Sequence, residues 1–427
     1  MGGSDGASRS RRRILAVAVL VVALSAGCAT EPASVPTATP GPGTGTFAPP
    51  ARVLDGRALG PVPFGPVARN TWSPWPAALH DARHSGGATV DGPVTGTMSW
   101  RRQLEGAATS GPVAAPDGSI YVASNAGVLH ALDPRTGADR WVFDSGSRGG
   151  GDLSTSALVM PDGTVLWGPP GRNQLVALSP SGTVLWRERL PGRPTSPTSS
   201  DGTLVYVGDT EGGVTSFEVS GSQHRLRWTI DVGDSSYGSV ATNGSGRLYT
   251  TADSALVALD DSAGAARVAW RADPGDDISE VSAGLGPDGT ALLGTNGVRE
   301  WAYRPDGSLA WSTPRVITYS SPTISDDGLA YIADHSGQVH VLDVARGTEA
   351  ARYEVANHAQ IWSAVAVDRG HRLYFGTQDG HFLGVAPDGT VLFDLALGTP
   401  IDSYPALTTE GTVVFGNRGG AVVAVGG

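Results

Sequence analysis

One cysteine and nine histidines stand among 427 residues, so thiol and imidazole chemistry have few addresses. A lone Cys28 can form no internal disulfide and no Cys-x-x-Cys redox pair. Only "HDARH" brings two histidines to metal spacing. His80 and His84 lie four apart, one face of a helix if the stretch is helical. No further ligands accompany them, and a structural role is the reading adopted. His130 and His340 occupy equivalent places in two repeat units, which sets them far apart, and they read as strand-face residues. Apart from "GGSDG" (2–6), ahead of the apolar N-terminal run, no G-x-S-x-G, P-loop or zincin pattern is present. Asp-rich "PDG" stretches mimic Ca²⁺ loops but recur as hairpin turns. The sequence therefore assigns no catalytic residue and no metal ligand. What remains is a set of aromatic and acidic side chains at neighbouring positions of a repeat: Tyr237, Glu280, Tyr319, Trp362 and Asp402, with Tyr404 two residues further on. Such groups suit a sugar, a peptide segment or a cation.

The elements that position them follow from spacing. Trp100, Trp141, Trp186, Trp228, Trp270, Trp311, Tyr353 and Phe393 are separated by 41, 45, 42, 42, 41, 42 and 40 residues. Periods of this length mark arrays or propellers. Each unit opens with small residues leading to a turn, as in "TSGPVAAPDG" (109–118), "TSPTSSDG" (195–202) and "YSSPTISDDG" (319–328). A β-rich run follows ("SIYVAS", "TLVYVG", "LAYIAD"), then a third ("VLHALD", "QLVALS", "QVHVLD"), then an aromatic-ended fourth ("ADRWVF", "TVLWRE"). Asp-Gly turns between short β-rich runs are hairpin signals. Four short strands per unit without helical periodicity describe a propeller blade. The last unit stops after its third strand at "AVVAVGG", and "MSWRRQL" (98–104) is a fourth strand without a unit. Joining the two removes both open edges. The expectation is an all-β, eight-bladed propeller of four-stranded antiparallel blades over residues 71–427, closed by the N- and C-terminal strands.

Within this repeat, "ALDPRTGADRW" places Ala131, Asp133, Thr136, Gly137 and Trp141 in the pattern A-x-D-x-x-T-G-x-x-x-W. Asp and Thr can bond turn amides, Gly takes the left-handed position, and Trp has the area to seal blade against blade. The pattern resembles the tryptophan-docking motif of PQQ-like (quinoprotein-type) β-propellers, and "WSPWPAALHDARHSG" (72–86) resembles the lead-in before many of them. With Trp186, Trp228, Trp270 and Trp311 it supplies the blade-docking set. The resemblance implies two kinds of role. PQQ-dependent alcohol or sugar dehydrogenases hold a quinone with Ca²⁺ in the channel, often beside a vicinal cysteine pair, which this chain lacks. BamB-like lipoproteins are non-catalytic propellers serving membrane-protein assembly. The units here are near-minimal, so the expectation is a binding or scaffold propeller with no cofactor. PQQ with Ca²⁺ in an oxidoreductase and an extracellular ligand-sensing propeller are the alternatives.

The inner strands of a propeller converge, and aligning their turns gives a ring of Gly111, Ser156, Ser196, Ser239, Ser282, Ser321, Ser363 and Tyr404. Seven small residues there read as steric necessity. The varied set named above would then sit at one mouth of the channel.

The N-terminal segment sets the expected location. "RSRRR" (9–13) precedes an 11-residue apolar core, "ILAVAVLVVAL" (14–24), the length of a signal peptide and short for a membrane span. "SAGC" then resembles the bacterial lipobox, with Cys28 as the lipidated residue. "SRRRIL" also resembles a twin-arginine export signal. Residues 1–27 are thus expected to be a lipoprotein signal peptide. Residues 28–70 are expected to be the lipidated Cys and a disordered tether, since "ATEPASVPTATPGPGTGTFAPP" (29–50) has almost no large apolar residue. Two acyl chains would hold the protein to a membrane. That places it extracytoplasmically, on the outer face of the cytoplasmic membrane of a Gram-positive cell or the periplasmic face of an outer membrane. An envelope protein, peptide or glycan is the expected partner of a monomeric propeller. The formal charge is −11, with no lysine. Removing the signal segment, four Arg against one Asp, leaves −14. Such a surface argues against nucleic acid.

Overall fold

The computed structural model describes residues 72–147, 155–233, 237–262, 264–275, 278, 281–295, 299–313, 318 and 320–426. The signal segment, Cys28 and the tether lie outside these residues, as do Glu280 and Tyr319.

Local chemistry sets the hairpins. Between first and second strands the Asp carboxylate accepts the amide two residues on: Asp117 from Ser119 and Asp288 from Thr290, both at 2.9 Å. The following glycine is left-handed, with φ +82° at Gly118 and +83° at Gly289. A side chain there would be strained, so Asp-Gly fixes each turn within a few residues.

These hairpins build eight four-stranded antiparallel sheets, seven of them running inner to outer in chain order. Blades 1 to 7 span residues 113–144, 158–189, 198–231, 241–272, 284–312, 323–354 and 366–396. The protein is an eight-bladed β-propeller. Blade 8 takes three strands from residues 406–425, and its outer strand is Met98–Gln103, paired antiparallel with Ala421–Val425. The ring is closed by both ends of the chain, leaving no inner seam open.

The core lies in the seams. Leu129 and Phe143 of blade 1 pack with Val159 and Trp167 of blade 2. Val422 of blade 8 packs with Val122 of blade 1. The outer aromatic residue then crosses to the next blade. Trp100 donates from Nε1 to the Pro134 carbonyl at 2.8 Å, Trp141 to Pro180 at 2.8 Å, Trp270 to Pro305 at 2.9 Å and Trp311 to Val344 at 2.7 Å. Gly137 makes room for the previous blade's tryptophan, since a Cβ there would lie 2.5 Å from Trp100. Asp133 holds this turn by accepting the Arg135 and Thr136 amides and the Thr136 hydroxyl, each at 3.1 Å. The motif is therefore read across two seams: Gly137 receives Trp100, and Trp141 reaches blade 2. Trp228 instead bonds the Asp261 carboxylate at 3.0 Å, and Trp186 stacks on His224 at 4.0 Å.

The lead-in forms a plug. Inner-strand amides of six blades donate to its carbonyls: Ala114 to Trp75, Val159 to Pro76, Thr242 to Ala82, Leu285 to Arg83, Ile324 to Ser85 and Val367 to Gly86. These strands ring the axis, so residues 75–86 cross the channel and cap backbone groups no neighbouring strand can reach. Asp81, buried at 1% exposure, folds the plug by accepting the Arg83 and Ser85 amides at 2.9 and 3.1 Å. His84 bonds the Ala283 carbonyl at 3.0 Å and His80 the Ser85 hydroxyl at 2.9 Å. The two histidines point to different partners, and His80 and His84 both have positive φ, so "HDARH" is not a helical pair.

Candidate functional site

The plug meets the last residue of six inner strands, so the opposite end of the channel is the one left for a ligand. Two residues before the inner strands, a ring of hydroxyls joins neighbouring blades. Ser156 N donates to Ser196 Oγ at 3.0 Å, Ser239 N to Ser282 Oγ at 2.9 Å, and Ser282 N to Ser321 Oγ at 3.1 Å. The Ser196, Ser282 and Ser321 hydroxyls thus serve as acceptors that link blade to blade. Gly111 fits the ring because a Cβ would sit 3.2 Å from Tyr404 Cβ.

Ser363 does not belong to this ring. Its hydroxyl bonds the Gly376 carbonyl at 3.2 Å, the same thirteen-residue link that Ser110 makes to Ala123 and Ser403 to Gly416. The ring position of blade 7 is Ala364. The slip arises at the turn. His371, at φ +59°, donates to the Asp368 carbonyl as Gly118 does to Ala115, so His371 and not Gly370 takes the left-handed place.

Two residues above the ring lies the mouth. Trp362 and Asp402, leading into blades 7 and 8, are brought together by Arg418. Its guanidinium lies 5.0 Å from the Trp362 ring centroid, and its Nε donates to the Asp402 carboxylate. The Gln378 amide donates to the other carboxylate oxygen. Trp362 Nε1 donates to Gln360 Oε1 at 3.1 Å, and His335 packs against the indole at 5.8 Å. Tyr404 lies one level lower, beside Gly111. Tyr237 leads into blade 4 and is 40% exposed, three blades from Trp362, so it is not part of this cluster. Glu280 and Tyr319 lie outside the described residues.

The sequence reading missed Arg418, Gln378 and His335. All three occupy one column, the turn between second and third strands, where blades 1 and 3 carry Asn125 and Thr210. Backbone bonds tie that turn to the mouth: Asn125 N to the Ala107 carbonyl, Gln378 N to Gln360 and Arg418 N to Pro400. Aligning this second turn beside the first would have found them.

The arrangement is a pre-organised platform of an indole and a guanidinium braced by a carboxylate, and Trp and Arg are the types enriched at protein docking hot spots. The Asp402 carboxylate is occupied by Arg418 and Gln378, and the indole already carries Arg418. Among the described residues no three His, Cys, Asp or Glu converge as metal ligands.

His130 and His340 lie elsewhere, on third strands. His130 sits between Asp139 at 2.9 Å and Glu105 at 3.0 Å, and His340 between Glu349 at 2.9 Å and Asp334 at 3.1 Å. Burial pushes the His340 pKa down, but the two carboxylates overcome it and the net shift is upward. Burial likewise opposes ionisation of Glu349, yet His340 and Arg352 hold its pKa at about 2.

Comparison with known proteins places this architecture. Residues 88–167, 131–224 and 171–385 match the family described as outer membrane protein assembly factor BamB. The outer membrane protein assembly factor BamB of Nitrosomonas eutropha is 31% identical over 91 residues, so the chain spans about a fifth (21%) of that curated relative's length, and the match covers 21% of this chain. The crystal structure of BamB from Moraxella catarrhalis superposes with a TM-score of 0.60 at 13% identity, covering 77% of this chain and 96% of that one. A quinohemoprotein alcohol dehydrogenase from Pseudomonas putida HK5 superposes with a TM-score of 0.66 at 14% identity, covering 83% and 77%. At such identities the superpositions establish the fold, which both kinds of protein share. The sequence match extends across most of the ring, and the chain belongs to the BamB family of PQQ-like β-propellers.

Proposed function

We propose that this protein is a non-catalytic scaffold propeller of the cell envelope, held to a membrane by lipid on Cys28, that docks a partner protein during membrane-protein assembly. The observation that carries the reading is the mouth. One end of the channel is crossed by residues 75–86, and the other presents Trp362 stacked with Arg418 and braced by Asp402. Family membership supports an assembly role over an oxidoreductase. So does the pairing of the Asp402 carboxylate with Arg418 and Gln378.

The test is photocrosslinking in the native membrane from a reactive residue at position 360, beside the indole. A crosslink to a membrane-protein assembly factor, lost in Trp362→Ala and Arg418→Ala with the melting temperature unchanged, supports the reading. The same crosslink surviving both substitutions removes the mouth from the docking surface. A rise in melting temperature with PQQ and Ca²⁺ would favour the oxidoreductase instead.

A further inference from the structure

Eightfold repetition gives each position seven internal controls. At the third-strand position facing the next blade, seven blades carry Leu129, Leu175, Val214, Leu256, Val339, Phe382 and Val422, all at most 1% exposed. Register places Glu300 at this position in blade 5. Leu293 pairs with Trp301, as Val122 pairs with His130, and Glu300 comes one residue earlier. Glu300 is 0% exposed, and neither carboxyl oxygen has a hydrogen-bond partner. A Cβ on Gly294 would lie 2.8 Å from Glu300 Oε1 and 2.4 Å from Thr318 Cγ2, so the carboxyl stands against the connector entering blade 6. Its backbone is ordinary: Glu300 N donates to Thr313 Oγ1 at 3.1 Å, and the Glu300 carbonyl accepts from Thr313 N at 3.0 Å. Only the side chain breaks the pattern.

We propose that Glu300 makes the joint between blades 5 and 6 a proton-sensitive opening point of the ring. An acid in an apolar seam is tolerated while neutral and strongly disfavoured once charged. Burial pushes the Glu300 pKa up to about 8, and His340 draws it back only in part. Among the described residues, the strands around it bring one partial counter-charge, His340. Ala291–Leu293, Leu309–Ser312 and Thr323–Ile324 carry no ionisable group, while Trp301–Tyr303 and Leu329–Ala333 add only the Tyr303 and Tyr331 phenols. Arg299, next in sequence, lies 5.9 Å from the Trp301 ring centroid. Gln338–Asp343 brings His340, already held by Asp334 and Glu349, and Asp343, paired with Arg346. In the unfolded chain Glu300 loses its proton near 4.5, in the folded chain near 8. Between these values the folded state binds the extra proton, so stability falls as pH rises through that window. The seam would be tight in an acidified surrounding and loosest in an alkaline one.

The experiment compares the full-length chain with Glu300→Leu and Glu300→Gln by calorimetry from about pH 5 to about pH 9. Leucine restores the residue type of the other blades, and glutamine keeps the shape without the charge. The expected result is a wild-type melting temperature that falls by several degrees relative to both variants as pH rises, with Glu300→Leu highest at alkaline pH. Hydrogen exchange, corrected for its intrinsic pH dependence, should show residues 299–313 and 320–333 opening first in the wild type and not in Glu300→Leu. Wild-type and variant curves that run parallel overturn the proposal. So does alkaline opening that begins at another seam.

Discussion

A methyl group at position 347 has no space. A Cβ there would lie 2.4 Å from Trp311 Cδ2, and the residue holds φ +66°. Gly347→Ala should therefore cost about 2–4 kcal/mol, combining left-handed strain with overpacking. Gly398 has nearly the same φ, +67°, and nothing within 4 Å. Gly398→Ala should cost only about 1–2 kcal/mol, the strain alone. Urea denaturation of the two variants separates contact from conformation, and equal losses would mean that the tryptophan does not dock as described. Titration offers a second residue-scale test. The depressed pKa of Glu349 means its contribution is present above about 4.5, its unfolded value, and is lost as pH falls toward about 2. The raised pKa of His340 means its contribution is complete below 6.5 and is lost as pH climbs through the folded value. Glu349→Gln should flatten the acid side of the stability curve, leaving less to lose between about pH 4.5 and 2. An acid limb identical to that of the wild type would show that the pair contributes nothing there.

Elements differ in how far local sequence determines them. The second, third and outer strands were legible because each is bounded by residues that act locally, such as Asp117 and Gly118, and because Trp141 or Trp270 marks the end of a unit. Inner strands were legible in every blade but the seventh. Ala366–Val367 is two residues long and carries no alternation, so one left-handed His371 shifted the expected ring at Ser363. The plug was recognisable as a lead-in, but its course depends on carbonyls meeting six separate strands, which no side-chain pattern encodes. Of the mouth, Trp362 and Asp402 were found because they vary within a column. Arg418 was missed because it comes from a different turn, about sixteen residues along the chain from Asp402 and joined to it only by the fold. The plug also carries a prediction. Asp81 and Arg83 are both almost fully buried, 3.7 Å apart, and Arg83 reaches the partly exposed Asp326 at 3.3 Å. Asp81→Ala removes the acceptor of two amides and leaves a buried guanidinium with one outer partner, a loss of about 3–5 kcal/mol. Exchange of the Thr242, Leu285 and Ile324 amides should rise with it. Normal protection of those amides would show that the plug stays seated without its aspartate.

For the molecule as a whole, closure decides cooperativity. Every seam is shared by two blades, so a blade cannot unfold without exposing its neighbours' core. The exception is structural: blade 8 is assembled from strands more than three hundred residues apart in sequence, and Val423 lies between Arg101 on one side and Phe415 on the other. Its side chain is fully buried. Val423→Pro deletes an amide and forces a ring against its neighbours in a central strand, which costs about 3 kcal/mol or more. If closure is what makes the ring one cooperative unit, this substitution should do more than lower the midpoint. The wild type should unfold in one sigmoidal transition, and the variant in a broad or stepped one, beginning with release of Met98–Gln103 and spreading to blades 1 and 7. Tryptophan fluorescence and far-ultraviolet circular dichroism, followed together in urea, should then separate, since Trp100 leaves its place against Gly137 before most strands are lost. Coincident transitions at a lowered midpoint would instead mean that the seams alone hold the ring, with the terminal strand adding stability but not cooperativity.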